Sequence, residues 1–157
     1  RPDANGGIRM YEGSSREATS RSAVATGRIV LGRDAFEQLQ ERRLDKGDAL
    51  PTAQIAGIMG AKQTSKLIPL CQDVVVKGVD VEFTPNEEDY SIEIRAFTQT
   101  FGSTGVQMEA LTAVSIAALT IYDMCKSISK EIKITDVHLL AKTGGQSGDY
   151  RKTSTDN

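Results

Sequence analysis

The side chains best placed for chemistry in this sequence are lysines in turns or in apolar surroundings. Lys46 lies in a polar turn, and Lys142 ends a strand-like run just before a pair of glycines. Lys126 lies near the end of a long apolar segment, three residues after Asp123. The backbone N–H groups of a glycine turn can hold a phosphate, and clustered lysines can neutralise its charge. These positions are therefore candidates for binding an anionic ligand.

Each of these lysines also has a purely structural interpretation. A lysine in a polar turn is most often a solvated charge, which applies to Lys46 and Lys142. Lys126 could complement the C-terminal end of a helix and form a weak i,i+3 ion pair with Asp123. The residue types alone leave both interpretations open.

The composition predicts one folded domain of ordinary size. The chain has 157 residues, of which 39% are apolar and 25% are charged, and this is enough for a packed core. Its 19 Lys and Arg against 21 Asp and Glu give a net charge of -2, so we expect no nucleic-acid partner. No apolar run reaches the length of a membrane span, so we expect no membrane partner either.

Histidine and cysteine are too few for the common metal and nucleophile sites. His138 is the single histidine, and Cys71 and Cys125 are far apart in the sequence, so neither a zinc pattern nor a disulfide framework is predicted. We expect small buried cysteines, a solvent-facing or hydrogen-bonded histidine, no metal and no obligatory organic cofactor. The cysteine usage indicates a reducing compartment, which is the cytoplasm or the mitochondrial matrix of a eukaryote.

The hydrophobic pattern predicts an α+β fold built from seven elements. The predicted strands and helices are strands 23–31, 74–83, 90–100 and 131–142, helix 34–43, a helix from Asp48 to before Pro69 with a break near Gln63, and a long helix 104–129. Thr104 and Gln107 match the capping box that begins such a helix. The order of elements is that of a ferredoxin-like sandwich, an antiparallel sheet with helices packed on one face. We expect this domain to span 10–151, between a flexible lead-in (1–9) and a flexible tail (152–157).

The long predicted helix carries two carboxylates that cannot both reach one small ligand. At about 100° per residue, Glu109 and Asp123 lie about 40° apart around the helix, but they are about 21 Å apart along its axis. If both residues are functional, a second copy of the helix must bring its opposite end alongside. The spacing therefore points to a site shared across a symmetric interface between two chains.

Seven short runs of the sequence carry a family resemblance. They are Lys46–Asp48, Ala56–Ile58, Leu67–Cys71, Thr104–Val106, Met108–Thr112, Tyr122–Lys126 and Gly144–Asp149. Together they resemble molybdenum cofactor biosynthesis protein C, the cyclic pyranopterin monophosphate synthase family, over roughly residues 10 to 150. The resemblance implies a homohexamer, a trimer of dimers with active sites between subunits. The implied reaction is a lyase reaction that converts the cyclised GTP derivative 3',8-cyclo-7,8-dihydro-GTP to cyclic pyranopterin monophosphate and pyrophosphate.

The resemblance also implies roles for individual residues. Asp123, Lys46 and Lys126 match the family's catalytic aspartate and lysines. The implied substrate-binding residues are Leu70, Cys71, Gln72, Met108, Glu109, Lys62 and Lys142. Clustered lysines would lower one another's pKa values through like-charge repulsion. We expect Lys46, Lys126 and Asp123 not to come all from the same subunit.

The chain departs from the family's pattern at several positions. Gln72 stands where the family usually has His, and Gln107 stands where it usually has Glu. Upstream, Met10–Gly13 replaces a Met-Val-Asp-Val stretch, and Arg16 stands where a lysine is common. An amide can form hydrogen bonds but does not titrate near neutral pH as an imidazole does. The alternative function is therefore a catalytically impaired paralogue that binds a nucleotide or pterin, or only assembles with an active homologue.

Overall fold

The computed structural model of the chain describes residues 18–145 and 148–153. The expectations for the lead-in, for Met10–Gly13 and Arg16, and for the last four residues of the tail lie outside the described residues. The same holds for Gln146 and Ser147 in the glycine-rich turn.

The described chain forms nine elements in sequence order. They are β1 (Thr19–Val30), α1 (Arg33–Gln40), α2 (Ala49–Lys62), α3 (Thr64–Leu67), β2 (Gly78–Asn86), β3 (Ser91–Gly102), α4 (Gln107–Cys125), β4 (Lys133–Thr143) and β5 (Tyr150–Arg151). The break predicted near Gln63 separates α2 from α3. The two-residue strand β5 was not predicted.

The five strands form one antiparallel sheet in the order β2-β3-β1-β4-β5. Alternate residues of the central strand β1, among them Ala23, Ala25 and Ile29, are fully buried. They point toward α4, because a Cβ added to Gly27 on the same face would lie 2.7 Å from a side-chain carbon of Val114. Helix α4 packs on β1, β3 and β4, and α2 packs on β2. The predicted α+β ferredoxin-like sandwich is confirmed.

Helices α2 and α4 pack against each other through small residues. A Cβ added to Gly57 would lie 3.0 Å from the carbonyl oxygen of Ala113, and one added to Gly60 would lie 2.8 Å from Ile116. Two backbones can approach this closely only where one of them carries no side chain. The close contacts at these two glycines therefore fix the position of α2 on α4.

The capping box predicted at Thr104 and Gln107 is wrong. Helix α4 begins at Gln107, and no side chain caps its first turn with a hydrogen bond. The hydroxyl of Thr104 instead donates to Oε1 of Gln72, at 2.7 Å. Asp48 does occupy the N-cap position of α2, but its carboxylate pairs with Arg42, at 3.5 Å, rather than with the helix backbone.

The other boundaries differ from the prediction by a few residues. Strand β2 continues through Pro85, which lies opposite Ile92 in β3, so the hairpin turn is shorter than predicted. A proline is tolerated there because β2 is an edge strand, whose outward N–H groups need no partner. Tyr90 closes the turn in the left-handed region, with φ 53°.

Helix α4 is, by length and composition alone, a candidate membrane span among the described residues. Its 19 residues pass that test, in contrast to the expectation from the sequence, and 56% of the tested window is buried in the protein. A helix in the centre of a protein core passes the same test. The packing of α4 between the sheet and α2 accounts for its apolar composition.

Candidate active site

Asp123 lies between two lysines and accepts a hydrogen bond from each. Nζ of Lys46 lies 2.8 Å from Oδ2 of Asp123, and Nζ of Lys126 lies 2.8 Å from Oδ1. All three side chains are about half exposed, at 50–58% of their side-chain surface. We call these three residues the lysine cluster.

The lysine cluster is assembled by packing within one chain. Lys126 follows the last turn of α4, one turn after Asp123, so the i,i+3 pair predicted from the sequence is confirmed. Lys46 lies in the turn between the buried Leu44 and Gly47, where the N–H of Gly47 donates to the carbonyl of Leu44 at 3.1 Å. Gly47 has φ 110°, a conformation that glycine adopts without strain.

Two expectations about this cluster are wrong. Lys46, Lys126 and Asp123 come from the same chain, because the fixed contact between α2 and α4 places the turn before α2 beside the end of α4. The pKa of Lys126 is raised rather than lowered, since its hydrogen bond to Asp123 favours the charged ammonium. The hydrogen bonds from Lys126 and then Lys46 lower the pKa of Asp123 to about 2. At neutral pH Asp123 is therefore a carboxylate flanked by ammonium groups.

A second group of candidate residues lies at the other end of α4. Glu109, in its first turn, is only 3% exposed, and burial raises its pKa. Burial also raises the pKa of the half-buried Cys71, and the negative charges of Glu109 and then Asp73 raise it further. We call Cys71, Gln72, Thr104 and Glu109 the glutamate cluster. It offers a carboxyl group that holds a proton more readily than an exposed glutamate does.

The two cysteines differ in their surroundings. Cys125 is fully buried, and burial raises the pKa of its thiol to about 11, so this cysteine is a small apolar core residue as predicted. Cys71 is partly exposed in the glutamate cluster, so the expectation of a buried cysteine is wrong there. Its raised pKa keeps the thiol protonated at neutral pH, which makes it a weak nucleophile.

The other four predicted substrate-binding residues lie on separate segments of the fold. Leu70 is exposed next to Cys71, Met108 is half-buried in the first turn of α4, and Lys62 is exposed at the end of α2. Lys142 lies opposite Ala23 near the end of β4 and lines a cavity of about 540 Å³. Leu70 and Met108 are thus chain neighbours of Cys71 and Glu109, and Lys62 lies at the end of α2 away from the lysine cluster.

The glycine turn after β4 differs from the phosphate cradle expected from the sequence. The N–H of Gly144 donates to Oδ1 of Asp149, at 2.9 Å, so that donor is already occupied. Gly144 and Gly145 both have positive φ, at 84° and 90°. A Cβ added to Gly144 would lie 3.1 Å from a side-chain carbon of Arg21. The turn thus packs directly on a basic residue.

Arg21, a buried basic residue beside the Gly144 turn, was not predicted from the sequence. It is only 6% exposed, its Nε donates to the carbonyl of Gly102 at 2.9 Å, and it forms no ion pair with a carboxylate of the described chain. It faces inward on β1 but precedes the predicted start of that strand at residue 23. The sequence does contain a pattern that indicates this position, because Arg21 precedes Ala23 and Ala25 at the alternate spacing of the inward-facing residues of β1.

The remaining candidate from the sequence for acid–base or metal chemistry is the single histidine. His138 lies on the outer part of the sheet, and its Nδ1 is 2.6 Å from the carbonyl oxygen of Asp136, which confirms a hydrogen-bonded histidine. Over residues 18–145 and 148–153, no group of three or more His, Cys, Asp or Glu side chains could hold a metal ion.

The chain is a ferredoxin-like α+β protein with a lysine-bound aspartate and a distant buried glutamate. Sequence comparisons show its family. A sequence model of the MoaC family matches residues 10–145. The chain belongs to the MoaC family, as the resemblance in the sequence predicted.

Curated relatives match nearly the whole chain. It is 61% identical over 155 residues to the cyclic pyranopterin monophosphate synthase of Salinibacter ruber, covering 99% of this chain and 91% of that protein. It is 51% identical over 148 residues to the synthase of Heliobacterium modesticaldum, covering 94% and 93% of the two chains. The synthase of Clostridium acetobutylicum is 48% identical over 147 residues, covering 94% and 91%.

Proposed function

We propose that this chain is a cyclic pyranopterin monophosphate synthase of molybdenum cofactor biosynthesis. Its substrate is the cyclised GTP derivative 3',8-cyclo-7,8-dihydro-GTP, and its products are cyclic pyranopterin monophosphate and pyrophosphate. Three curated relatives carrying this name are 48%, 51% and 61% identical to this chain. The observation that carries the proposal is the lysine cluster, in which one carboxylate holds two ammonium groups side by side.

The lysine cluster suits the release of pyrophosphate. A hydroxyl oxygen of the sugar-derived part attacks the α-phosphorus, and the bond from that phosphorus to the leaving pyrophosphate breaks as the cyclic phosphate forms. Negative charge increases on the leaving group in this step, and fixed ammonium groups stabilise it. Because the pKa of Lys126 is raised, this lysine carries its proton at neutral pH and can donate hydrogen bonds to phosphate oxygens.

Asp123 and Glu109 suit different tasks in this reaction. A carboxylate with a pKa of about 2 is a weak base at neutral pH, so Asp123 orients the two lysines. The pKa of Glu109 is raised toward neutrality by burial, which makes it the better group to exchange a proton with the purine-derived ring or the attacking hydroxyl.

We propose that two chains complete each site. On α4, the residues Met108, Leu111, Ser115, Leu119 and Tyr122 follow a spacing of three or four and form a partly exposed stripe along the helix. Leu119 is 54% exposed. A twofold axis near Ser115, the middle of this stripe, would pair two α4 helices antiparallel.

This pairing would place the lysine cluster of one chain beside the glutamate cluster of its partner. It would remove the separation of about 21 Å that the rise of α4 imposes within one chain. It would also cover the exposed apolar side chains Ile55 and Met59 of the neighbouring α2, which are 61% and 60% exposed. The family resemblance extends the dimer to a hexamer, a trimer of dimers.

Turnover by the purified chain tests the proposed function. We expect the chain to convert 3',8-cyclo-7,8-dihydro-GTP and to release one pyrophosphate per cyclic pyranopterin monophosphate formed. Lys130→Ala serves as the matched control for changes in the lysine cluster, because Lys130 is an exposed lysine outside both clusters. Binding of the substrate without turnover would instead support the impaired paralogue, which the amides at Gln72 and Gln107 favour.

A further inference from the structure

The contact between Thr104 and Gln72 joins two loops that are 32 residues apart in the sequence. The Thr104 hydroxyl donates to Oε1 of Gln72 over 2.7 Å, and both side chains are half-buried. Gln72 follows Cys71 in the chain, so the contact lies within the glutamate cluster. A side-chain hydrogen bond between two loops restricts the orientation of both groups.

The Thr104 loop is itself held in place. The buried hydroxyl of Thr98 donates to the carbonyl of Val106, at 3.0 Å, and so ties the start of α4 to β3. A Cβ added to Gly105 would collide with the carboxamide oxygen of Gln107, so this side chain lies directly over the loop. Thr104 is therefore presented to Gln72 from an anchored segment.

The carboxamide of Gln72 has one acceptor oxygen and two N–H donors. Its oxygen accepts the hydrogen bond from Thr104, and no acceptor in the described part of the chain takes the two donors on Nε2. Because the Thr104 hydroxyl donates to the oxygen of this amide, the Nε2 end points away from Thr104. The two N–H groups are thus left for a ligand.

We propose that Thr104 is a positioning residue that turns the Gln72 carboxamide so that its Nε2 donates to an acceptor oxygen or ring nitrogen of the substrate. This inference rests on the proposed function, because it assigns a substrate contact to the same site. It gives Gln72 the role of a donor that does not change its protonation with pH.

A double-mutant cycle on kcat/KM tests this inference with 3',8-cyclo-7,8-dihydro-GTP as substrate. Thr104→Val keeps the side-chain shape but removes the donor, and we expect kcat/KM to fall about tenfold, the effect of one well-placed hydrogen bond. Thr104→Ser keeps the hydroxyl, and we expect it to remain within about twofold of the parent. Gln72→Met removes the carboxamide, and we expect Thr104→Val to have no further effect in that background.

Two results would overturn the inference. One is a Thr104→Val variant with unchanged kcat/KM. The other is an equal effect of Thr104→Val on kcat/KM in the parent and in the Gln72→Met background. A merely structural role of Thr104 would produce this second result. Thermal unfolding of each variant shows whether the fold is intact. If the parent shows no turnover, the proposed function fails, and the same cycle is then measured on the affinity for this substrate by calorimetry.

Discussion

The ammonium group of Lys46 lies 2.8 Å from Oδ2 of Asp123, although 77 residues separate them in the sequence. The distance is set by the packing of α2 on α4. The glycines of α2 allow the two backbones to approach closely. The contact makes the lysine cluster a product of one chain. The tests below follow from that arrangement and from the burial of Glu109 at the opposite end of the helix.

We expect Lys46→Ala or Lys126→Ala to abolish product formation and to leave a folded oligomer. Both side chains are about half exposed, so their ion pairs contribute little to folding. Product formation is measured by pyrophosphate release, with Lys130→Ala as the control that keeps parental turnover. An alanine variant in either cluster lysine with near-parental turnover would remove the lysine cluster from the mechanism.

The low pKa of Asp123 predicts a loss of stability in acid. The carboxyl group has a pKa of about 2 in the folded chain against 3.8 in its ordinary state, so it stabilises the fold above the ordinary value. This contribution is lost as the pH falls from 3.8 toward about 2. We expect the difference in melting temperature between the parent and Asp123→Asn to shrink over that range. A difference that is constant with pH would contradict the lowered pKa.

Glu109→Gln separates the charge of the buried glutamate from its shape. The folded pKa of Glu109 is raised above the ordinary 4.5, so the folded chain binds its proton more tightly and loses stability as the pH rises from 4.5 through the folded pKa. We expect Glu109→Gln to remove this loss, giving a melting temperature at neutral pH at or above that of the parent, while turnover falls at least about a hundredfold. Glu131→Gln, at an exposed carboxylate outside both clusters, is the control. Full activity of the glutamine variant would rule out a proton-exchanging role.

We expect Gln72→His to increase turnover and to make it depend on pH. An imidazole can exchange a proton near neutral pH, which the carboxamide cannot do. The rate is measured at saturating substrate between about pH 6 and about pH 8, around the ordinary pKa of histidine. Equal rates for parent and variant across this range would show that position 72 exchanges no proton in the reaction.

Mixed oligomers test whether two chains share each site. Chains carrying Lys126→Ala and chains carrying Glu109→Gln, unfolded and reassembled together, should regain about a quarter of parental activity, because half of the dimers are mixed and each has one intact site. Chains carrying Lys46→Ala and chains carrying Lys126→Ala should not complement each other. Lys46 and Lys126 of one chain form the same lysine cluster, so every cluster in this mixture lacks one lysine. Mass spectrometry shows whether mixed oligomers have formed. If they have, recovery in the second mixture but not in the first would contradict this assignment of the two clusters to the two chains.

Hydrophobic periodicity predicted the order of the main elements, because strand and helix spacing are local properties of the sequence. It placed the start of β1 at residue 23 rather than at Thr19, since the polar Thr19–Ser22 segment gives no apolar signal. The capping box failed for another reason. Thr104 has a competing partner in Gln72, and a contact between two loops cannot be read from spacing along one helix.

The site divides in the same way between local and distant contacts. The pair of Asp123 and Lys126 was predictable from a spacing of three residues on one helix. The approach of Lys46 to Asp123 was not, because it depends on how α2 packs. The burial of Arg21 was not predictable, because it depends on the neighbouring strand and on the Gly144 turn, which cover this side chain only in the folded chain.

The glycines of α2 make the geometry of the lysine cluster sensitive to positions that touch no substrate. A methyl group at Gly57 would meet the carbonyl oxygen of Ala113 at 3.0 Å, so α2 and α4 would have to move apart by a few tenths of an ångström. We expect such a shift of α2 to move the turn before it, which carries Lys46, relative to Asp123. We therefore expect the spacing between two helices, and not only the identity of the reacting groups, to affect the activity of this chain.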